Sequence, residues 1–375
     1  MTKSVKLLRE LIALPSVNPA FVPAGDPRAG ERRVGEFLAA TAARAGLDVD
    51  FQSVLPGRNN LLARLMPAGN VRQRILLAPH LDTVNGTESQ FEPRTHNGRL
   101  YGRGACDTKG SIAAMMMALS ELAEKKTRPS GTEIIFAGLV DEENAQAGSR
   151  ALAASGFGAD LAIVGEPTCL QVVTAHKGSS WLEFETRGKS AHGARPELGS
   201  NAIHQMARIV DWLETEYAAR LRGRRHKLLG YATVSVGVIR GGTQPNIVPD
   251  HCAIAVDRRT LPGETEAGVR REIQRSLNKK KLRTMIRKGK LAPCLPLETN
   301  ARLPLVAGFL DSLGQREPIG VDYFCDASVL ARGGIPSIVF GPGDIAQAHT
   351  ADEWISLRSL DQARAALLRY LQTLP

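Results

Sequence analysis

The chain has 375 residues and a net charge of +10, enough length for about two domains with a full core. No stretch near the start joins basic residues to an apolar h-region and no apolar run reaches membrane-spanning length, so neither export nor membrane insertion is expected. Five cysteines (Cys106, Cys169, Cys252, Cys294 and Cys325) are scattered without CxxC spacing, which predicts reduced thiols and a cytoplasmic protein rather than a disulfide scaffold.

Residues 19–30, rich in Pro, Ala and Gly, read as a surface loop. Residues 74–78 (RILLA) form a short apolar run that predicts a buried strand ending just before His80 and Asp82. Ile112, Ala113, Met116, Leu119 and Leu122 recur at helical spacing within 110–126. Residues 132–140 (TEIIFAGLV) predict a second strand, ending before Asp141-Glu142-Glu143, and 160–164 (DLAIV) a third, ending before Glu166. Strands alternating with helices imply a parallel sheet, and ligands gather outside the carboxyl ends of such strands.

Histidines and carboxylates stand at those ends three times. With Asp107 and His349 they make the ligand set that a pair of zinc-like ions requires, with one carboxylate to bridge and one left as a base. Each residue alone has an ordinary reading. Asp107 suits a helix cap, Glu166 before Pro167 suits a turn, and a lone histidine is usually surface or core. Their joint placement at strand ends favours a metal site.

The motifs His80-x-Asp82, Tyr101-Gly102-Arg103-Gly104-x-x-Asp107-x-Lys109-Gly110, Glu142-Glu143 and Gly165-Glu166-Pro167-Thr168 occur in this order. With them the chain resembles the dinuclear zinc amidohydrolases and exopeptidases that include acetylornithine deacetylase, succinyl-diaminopimelate desuccinylase, aminoacylase and bacterial glutamate carboxypeptidases. The likeness runs from Leu7 to Leu11 and Pro15-Ser16-Val17-Asn18-Pro19 through to His349-Thr350-Ala351-Asp352-Glu353. It implies that His80 and Glu166 bind one zinc, that Glu143 and His349 bind the other, and that Asp107 bridges them; cobalt or manganese would substitute. Asp82 would orient His80, and Glu142 would be the general base.

From residue 180 onward the pattern changes. Residues 180–186 (SWLEFET) alternate as a one-sided strand, 201–217 read as an amphipathic helix, 231–239 and 251–257 as strands, and 264–277 as a helix. This predicts an α/β protein. A mostly parallel, helix-flanked catalytic domain (residues 1–176 and 293–375) would carry an inserted α+β, ferredoxin-like domain at 177–292. The resemblance makes that insert a lid and the interface of a homodimer. It also assigns His192 to the oxyanion of the partner subunit's site and Asn246 and Arg259 to substrate, a guanidinium being suited to a carboxylate. Arg258 is the competing neighbour. Thr108 stands where relatives often carry Met, and Gly193-Ala194-Arg195 follows His192 where Ser is common.

Basic runs at 220–227 and 279–290 supply much of the net charge. They lack interleaved aromatics, so solvated faces rather than a specific nucleic-acid site are expected. Cys106 reads as a packing residue. The expected partner is a small N-acyl amino acid or short peptide. Residues 175–178 (AHKG), 261–263 (LPG) and the 340–349 segment look most like acetylornithine deacetylase; a desuccinylase or a glutamate-type carboxypeptidase are the alternatives. A non-catalytic binding protein on the same fold would have lost a ligand or Glu142, and none is lost.

Overall fold

The computed structural model describes residues 1–124, 128–289 and 294–375. The far end of the helix expected over 110–126, Lys290 of the second basic run and the expected domain boundary at 292/293 lie outside the described residues. The chain divides into two compact units. One comprises Met1–Thr174, Thr299–Ile319 and Cys325–Pro375, the other Ala175–Glu298 and Gly320–Phe324.

The first unit opens with helix α1 (Lys3–Ile12), whose start is capped by the Thr2 hydroxyl accepting from Val5 N and whose Leu8, Leu11 and Ile12 are fully buried. Helix α2 (Arg32–Arg44) follows. Strands β1 (Asp48–Leu55) and β2 (Arg58–Leu65) then form an antiparallel hairpin. Strand β3 (Gln73–Pro79), helix α3 (Lys109–Glu124), strand β4 (Thr132–Gly138), helix α4 (Ala147–Ala154) and strand β5 (Leu161–Gly165) continue the chain. β4 and β5 are buried throughout, the continuous apolar composition expected of parallel strands covered on both faces.

The second unit is an antiparallel sheet with two helical segments. Its elements are β6 (Gly178–Arg187), α5 (Ala202–Trp212), β7 (Thr233–Gly241), β8 (His251–Thr260), α6 (Glu266–Lys279) and β9 (Met285–Lys288), and its strand order is β7-β8-β6-β9. α5 runs on through a π-helical turn, Leu213–Tyr217, which stacks Tyr217 on Trp212 with ring centroids 5.2 Å apart. Leu182, Phe184, Ile254, Val256, Met206, Ile209 and Ile273 build this unit's own core.

Strand β10 (Ser337–Val339) and helix α7 (Leu357–Leu371) complete the first unit. Its sheet includes the run β1-β2-β4-β3-β5-β10. β4, β3, β5 and β10 are mutually parallel, with Ile75 opposite Ile134, Leu76 opposite Ala162 and Ile338 opposite Ile163. Arg364 on α7 pairs with Glu121 on α3 at 2.7 Å, and Phe309 meets both Phe340 and Tyr370 edge to face. Among the described residues no helix is long and apolar enough to cross a membrane. The parallel strands all point their carboxyl ends one way, and His80, Asp141 and Glu166 follow β3, β4 and β5 there.

Candidate metal centre

The centre is built around Asp107, whose two carboxylate oxygens face different histidines. Oδ1 lies 3.0 Å from His80 Nε2, and Oδ2 lies 3.3 Å from His349 Nε2. A second carboxylate accompanies each imidazole. Glu166 is 3.8 Å from His80 Nε2, and Glu143 is 3.1 Å from His349 Nε2. Ligand atoms of His80, Asp107 and Glu143 all fall within 4.8 Å of one another. The five residues expected as ligands therefore converge, drawn from five separate stretches of the first unit.

The His80 Nδ1–H donates to the Asp82 carbonyl at 3.0 Å, which orients the ring and turns Nε2 toward the cluster. The Asp82 carboxylate is farther, 3.5 Å from Nδ1. It accepts instead from the backbone N–H groups of Glu142 and Glu143, each at 3.1 Å. Asp82 thus links the histidine of β3 to the loop that follows β4.

Glu353, quoted in the sequence motif but given no role there, has a similar task. Its carboxylate accepts from Gly104 N, Cys106 N, Asp107 N and Arg103 Nη1 at 2.8–3.0 Å. Four donors on one buried carboxylate hold the Gly102–Asp107 loop in place. Thr108 Oγ1 donates to Gly165 O at 2.6 Å, tying that loop to the strand that presents Glu166. His349 adopts a left-handed φ of 62° and Asp141 one of 70°, conformations that a side chain other than glycine holds only when its surroundings enforce them.

Electrostatics describe a site that needs cations. Burial, reinforced by Glu166, Asp326 and Glu143, pushes the Glu142 carboxyl well above its ordinary pKa. Burial together with Asp107 and Asp326 does the same for Glu166. Asp326 rises to about 6 for the same reason, although Ser149 Oγ donates to it at 2.5 Å. Burial works against protonating His80, yet Asp107, Asp82 and Glu166 hold its pKa far above normal, and Asp107 and Glu143 raise His349 to about 10. So many carboxylates around two imidazoles fit divalent metal ions, whose charge removes the repulsion that protons otherwise relieve. Burial pushes the Cys106 thiol up, which leaves it inert as a nucleophile.

Glu142 differs from its neighbours. Among the described residues no donor reaches its carboxylate, and only its backbone is held. The remaining expected residues belong to the second unit. There a bridge pairs His192 with Ile247, and Gly193 N donates to Asn246 O at 2.7 Å, so His192 and Asn246 lie on adjoining loops. Arg259 is half-buried and bonds Asp257 at 2.9 Å. Arg258 is fully buried, bonded to Tyr217 OH at 3.2 Å, to Glu264 at 2.6 Å and to the Arg259 carbonyl. Arg259 is therefore the accessible member of the pair.

Residues 76–373 match the model of Peptidase family M20/M25/M40. The chain is 32% identical over 375 residues to an acetylornithine deacetylase of Proteus mirabilis (strain HI4320), covering 96% of this chain and 94% of that one. It is 32% identical over 351 residues to the acetylornithine deacetylase of Myxococcus xanthus, covering 89% and 90%. Its fold superposes on an aminopeptidase from Bacillus cereus ATCC 10987 with a TM-score of 0.78 at 23% identity, covering 99% and 97% of the two chains. It also superposes on a dinuclear metal-binding peptidase from Bacillus subtilis with a TM-score of 0.73 at 13% identity, with the same coverage. The family model spans most of the chain and the relatives cover nearly its full length; the chain belongs to Peptidase family M20/M25/M40.

Proposed function

We propose that this chain is a metal-dependent hydrolase that cleaves the amide bond of an N-acyl amino acid to a carboxylate and a free amine, most like acetylornithine deacetylase. Two zinc ions would be held by His80 with Glu166 and by His349 with Glu143, and shared through Asp107. The observation that carries this reading is the division of the Asp107 oxygens between two imidazoles, with Glu142 beside them and unengaged. Bound divalent ions would polarise the amide carbonyl and acidify the attacking water.

The chain's own groups supply the rest. Glu142 accepts the proton of the attacking water and returns it to the departing nitrogen, a task suited to a carboxyl whose surroundings raise its pKa. Asp82 holds the backbone of Glu142 and the ring of His80. Asn246 and Arg259 would bind substrate, and His192, reaching the site of a partner subunit, would stabilise the oxyanion. A homodimer through the second unit and a cytoplasmic setting belong to the same proposal; free thiols at Cys106, Cys169, Cys252 and Cys325 suit the latter.

A substrate panel on chelated and reloaded protein tests this. N-acetylornithine should be hydrolysed fastest, the activity should vanish after dialysis against a strong chelator, and zinc, cobalt or manganese should restore it. Glu142→Ala should retain metal while kcat falls roughly 10²–10⁴-fold, and His349→Ala should lose metal. Full activity in metal-free protein would overturn the assignment. Preference for N-succinyl-diaminopimelate or an acyl-glutamate would move the chain to the neighbouring specificity.

A further inference from the structure

Behind the ligands lies a closed ring of polar side chains to which the reaction assigns no part. Arg58, on β2, binds Glu31 with two parallel hydrogen bonds, Nε to Oε2 at 2.8 Å and Nη2 to Oε1 at 2.5 Å. Its remaining nitrogen, Nη1, reaches Asp141 Oδ1 at 3.0 Å. The same Glu31 Oε1 accepts from the backbone N–H of Asp141 at 3.2 Å. Asn18 closes the ring, since its side-chain amide donates to Asp141 Oδ1 at 3.0 Å and to Asp82 Oδ2 at 2.8 Å. Asp82 in turn accepts from the N–H groups of Glu142 and Glu143.

All five residues sit away from solvent. Asn18, Glu31, Asp82 and Asp141 are at most 2% exposed, and the Arg58 side chain is 12% exposed. Three buried carboxylates around a single guanidinium make a poor stability element, because burying charge is costly unless geometry is enforced. What the ring does is fix direction. It grips Asp141 by both its side chain and its backbone, at a residue whose φ of 70° is unusual for an aspartate. The next residue is Glu142. Only a planar fork with donors on three sides satisfies Glu31 and Asp141 together, which a lysine cannot do.

We infer that Arg58 and Asn18 are positioning residues for the general base: through Asp141 and Asp82 they set the backbone from which the Glu142 carboxylate is aimed. This rests on the proposed role of Glu142. It is distinct from ligand binding, because neither residue contacts His80, Asp107, Glu143, Glu166 or His349 among the described hydrogen bonds.

Arg58→Lys keeps the charge and loses the fork. Asn18→Ser keeps an acceptor for Ala20 N, which Asn18 Oδ1 now caps at 3.0 Å, and loses the reach to Asp82 and Asp141. In metal-free protein, amide hydrogen exchange at Glu142 and Glu143 should speed up in both variants while the rest of the sheet stays protected. In metal-loaded protein kcat should fall roughly 10–100-fold, with metal content unchanged and KM within about twofold.

A double-mutant cycle separates the explanations. In a Glu142→Gln background Arg58→Lys should cost nothing further, because a residue that acts only through Glu142 has nothing left to aim. Losses that multiply, unchanged exchange at Glu142 and Glu143, or lost metal would each overturn the positioning role. If Glu142→Gln is itself fully active, the assignment of the base has failed, a separate result. Asn18→Ser keeps the test decisive should Arg58→Lys fail to fold.

Discussion

A buried imidazole with one unmet nitrogen leaves its mark on stability at low pH. His176 is fully buried; its Nδ1–H donates to the Lys177 carbonyl at 2.9 Å, and Nε2 has no hydrogen-bond partner among the described residues. Burial pushes its pKa down to about 4, with the Lys177 carbonyl opposing. In the unfolded chain the ring titrates near 6.5. Between those values the unfolded state binds the proton and the folded state does not, so stability rises with pH across that window. The contribution is complete above about 6.5 and is lost as pH falls toward about 4, on the order of 3 kcal/mol for this residue. His176→Phe removes the titration. In metal-free protein the urea midpoint of the variant should therefore decline less than that of the parent from pH 6.5 to 4, and parallel declines would show that His176 is not the source.

At the scale of elements, the approach of α4 to β2 and the end of β4 sets the loop that carries Glu142. Gly148, in the first turn of α4, donates to Val140 O at 2.9 Å and accepts from Asn60 Nδ2 of β2 at 2.9 Å. A Cβ there would lie 2.5 Å from Val140 N and 2.6 Å from Val140 O. Backbone atoms cannot step aside as a flexible side chain can. Gly148→Ala should cost roughly 1–3 kcal/mol by overpacking, read as a lower urea midpoint, and kcat should fall further than that loss of folding accounts for; an unchanged kcat would free the Val140–Glu143 segment from this contact. The strands that place the ligands were legible because continuous apolar runs end abruptly at His80, Asp141 and Glu166. β4 stops at Gly138 rather than at 140, since the chain must turn at Asp141. β9 was not legible: it lies within a basic run, where an edge strand tolerates charge that a central one does not. Residue type could not separate Arg258 from Arg259, but parity does. β8 alternates strictly, and the even positions Cys252, Ile254, Val256, Arg258 and Thr260 point inward. The ring of Asn18, Glu31, Arg58 and Asp141 was hidden for another reason. Glu31 is 27 residues from Arg58, and Asn18 is 123 from Asp141, so no local periodicity connects them.

For the whole molecule, the second unit holds 23 Lys and Arg against 13 Asp and Glu, which is the entire net charge, while the first unit is neutral. Some of these basic residues are ion-paired, as between Arg224 and Glu272 and between Lys280 and Glu216, but both partners of each pair belong to this unit and the surplus stands. The unit also carries β7 as an edge strand with Val238 42% and Ile239 57% exposed, an open row of backbone groups and apolar side chains that natural sheets usually cover. In the proposed homodimer, edge and apolar contacts would draw two such units together while like net charge opposes them. The dimer should therefore tighten as salt rises from low ionic strength, the reverse of an assembly held by ion pairs; sedimentation across a salt series measures this. If His192 serves the partner's site, a folded and metal-loaded monomer should be slow by roughly 10²–10³-fold, the worth of one oxyanion donor. Two inactive variants, Glu142→Ala and His192→Ala, give the direct test when mixed under conditions of subunit exchange. Each heterodimer then contains one site with both residues intact, and roughly a quarter of the parent activity should return by random pairing. Heterodimers that form without any recovery would confine His192 to its own subunit or remove it from the chemistry.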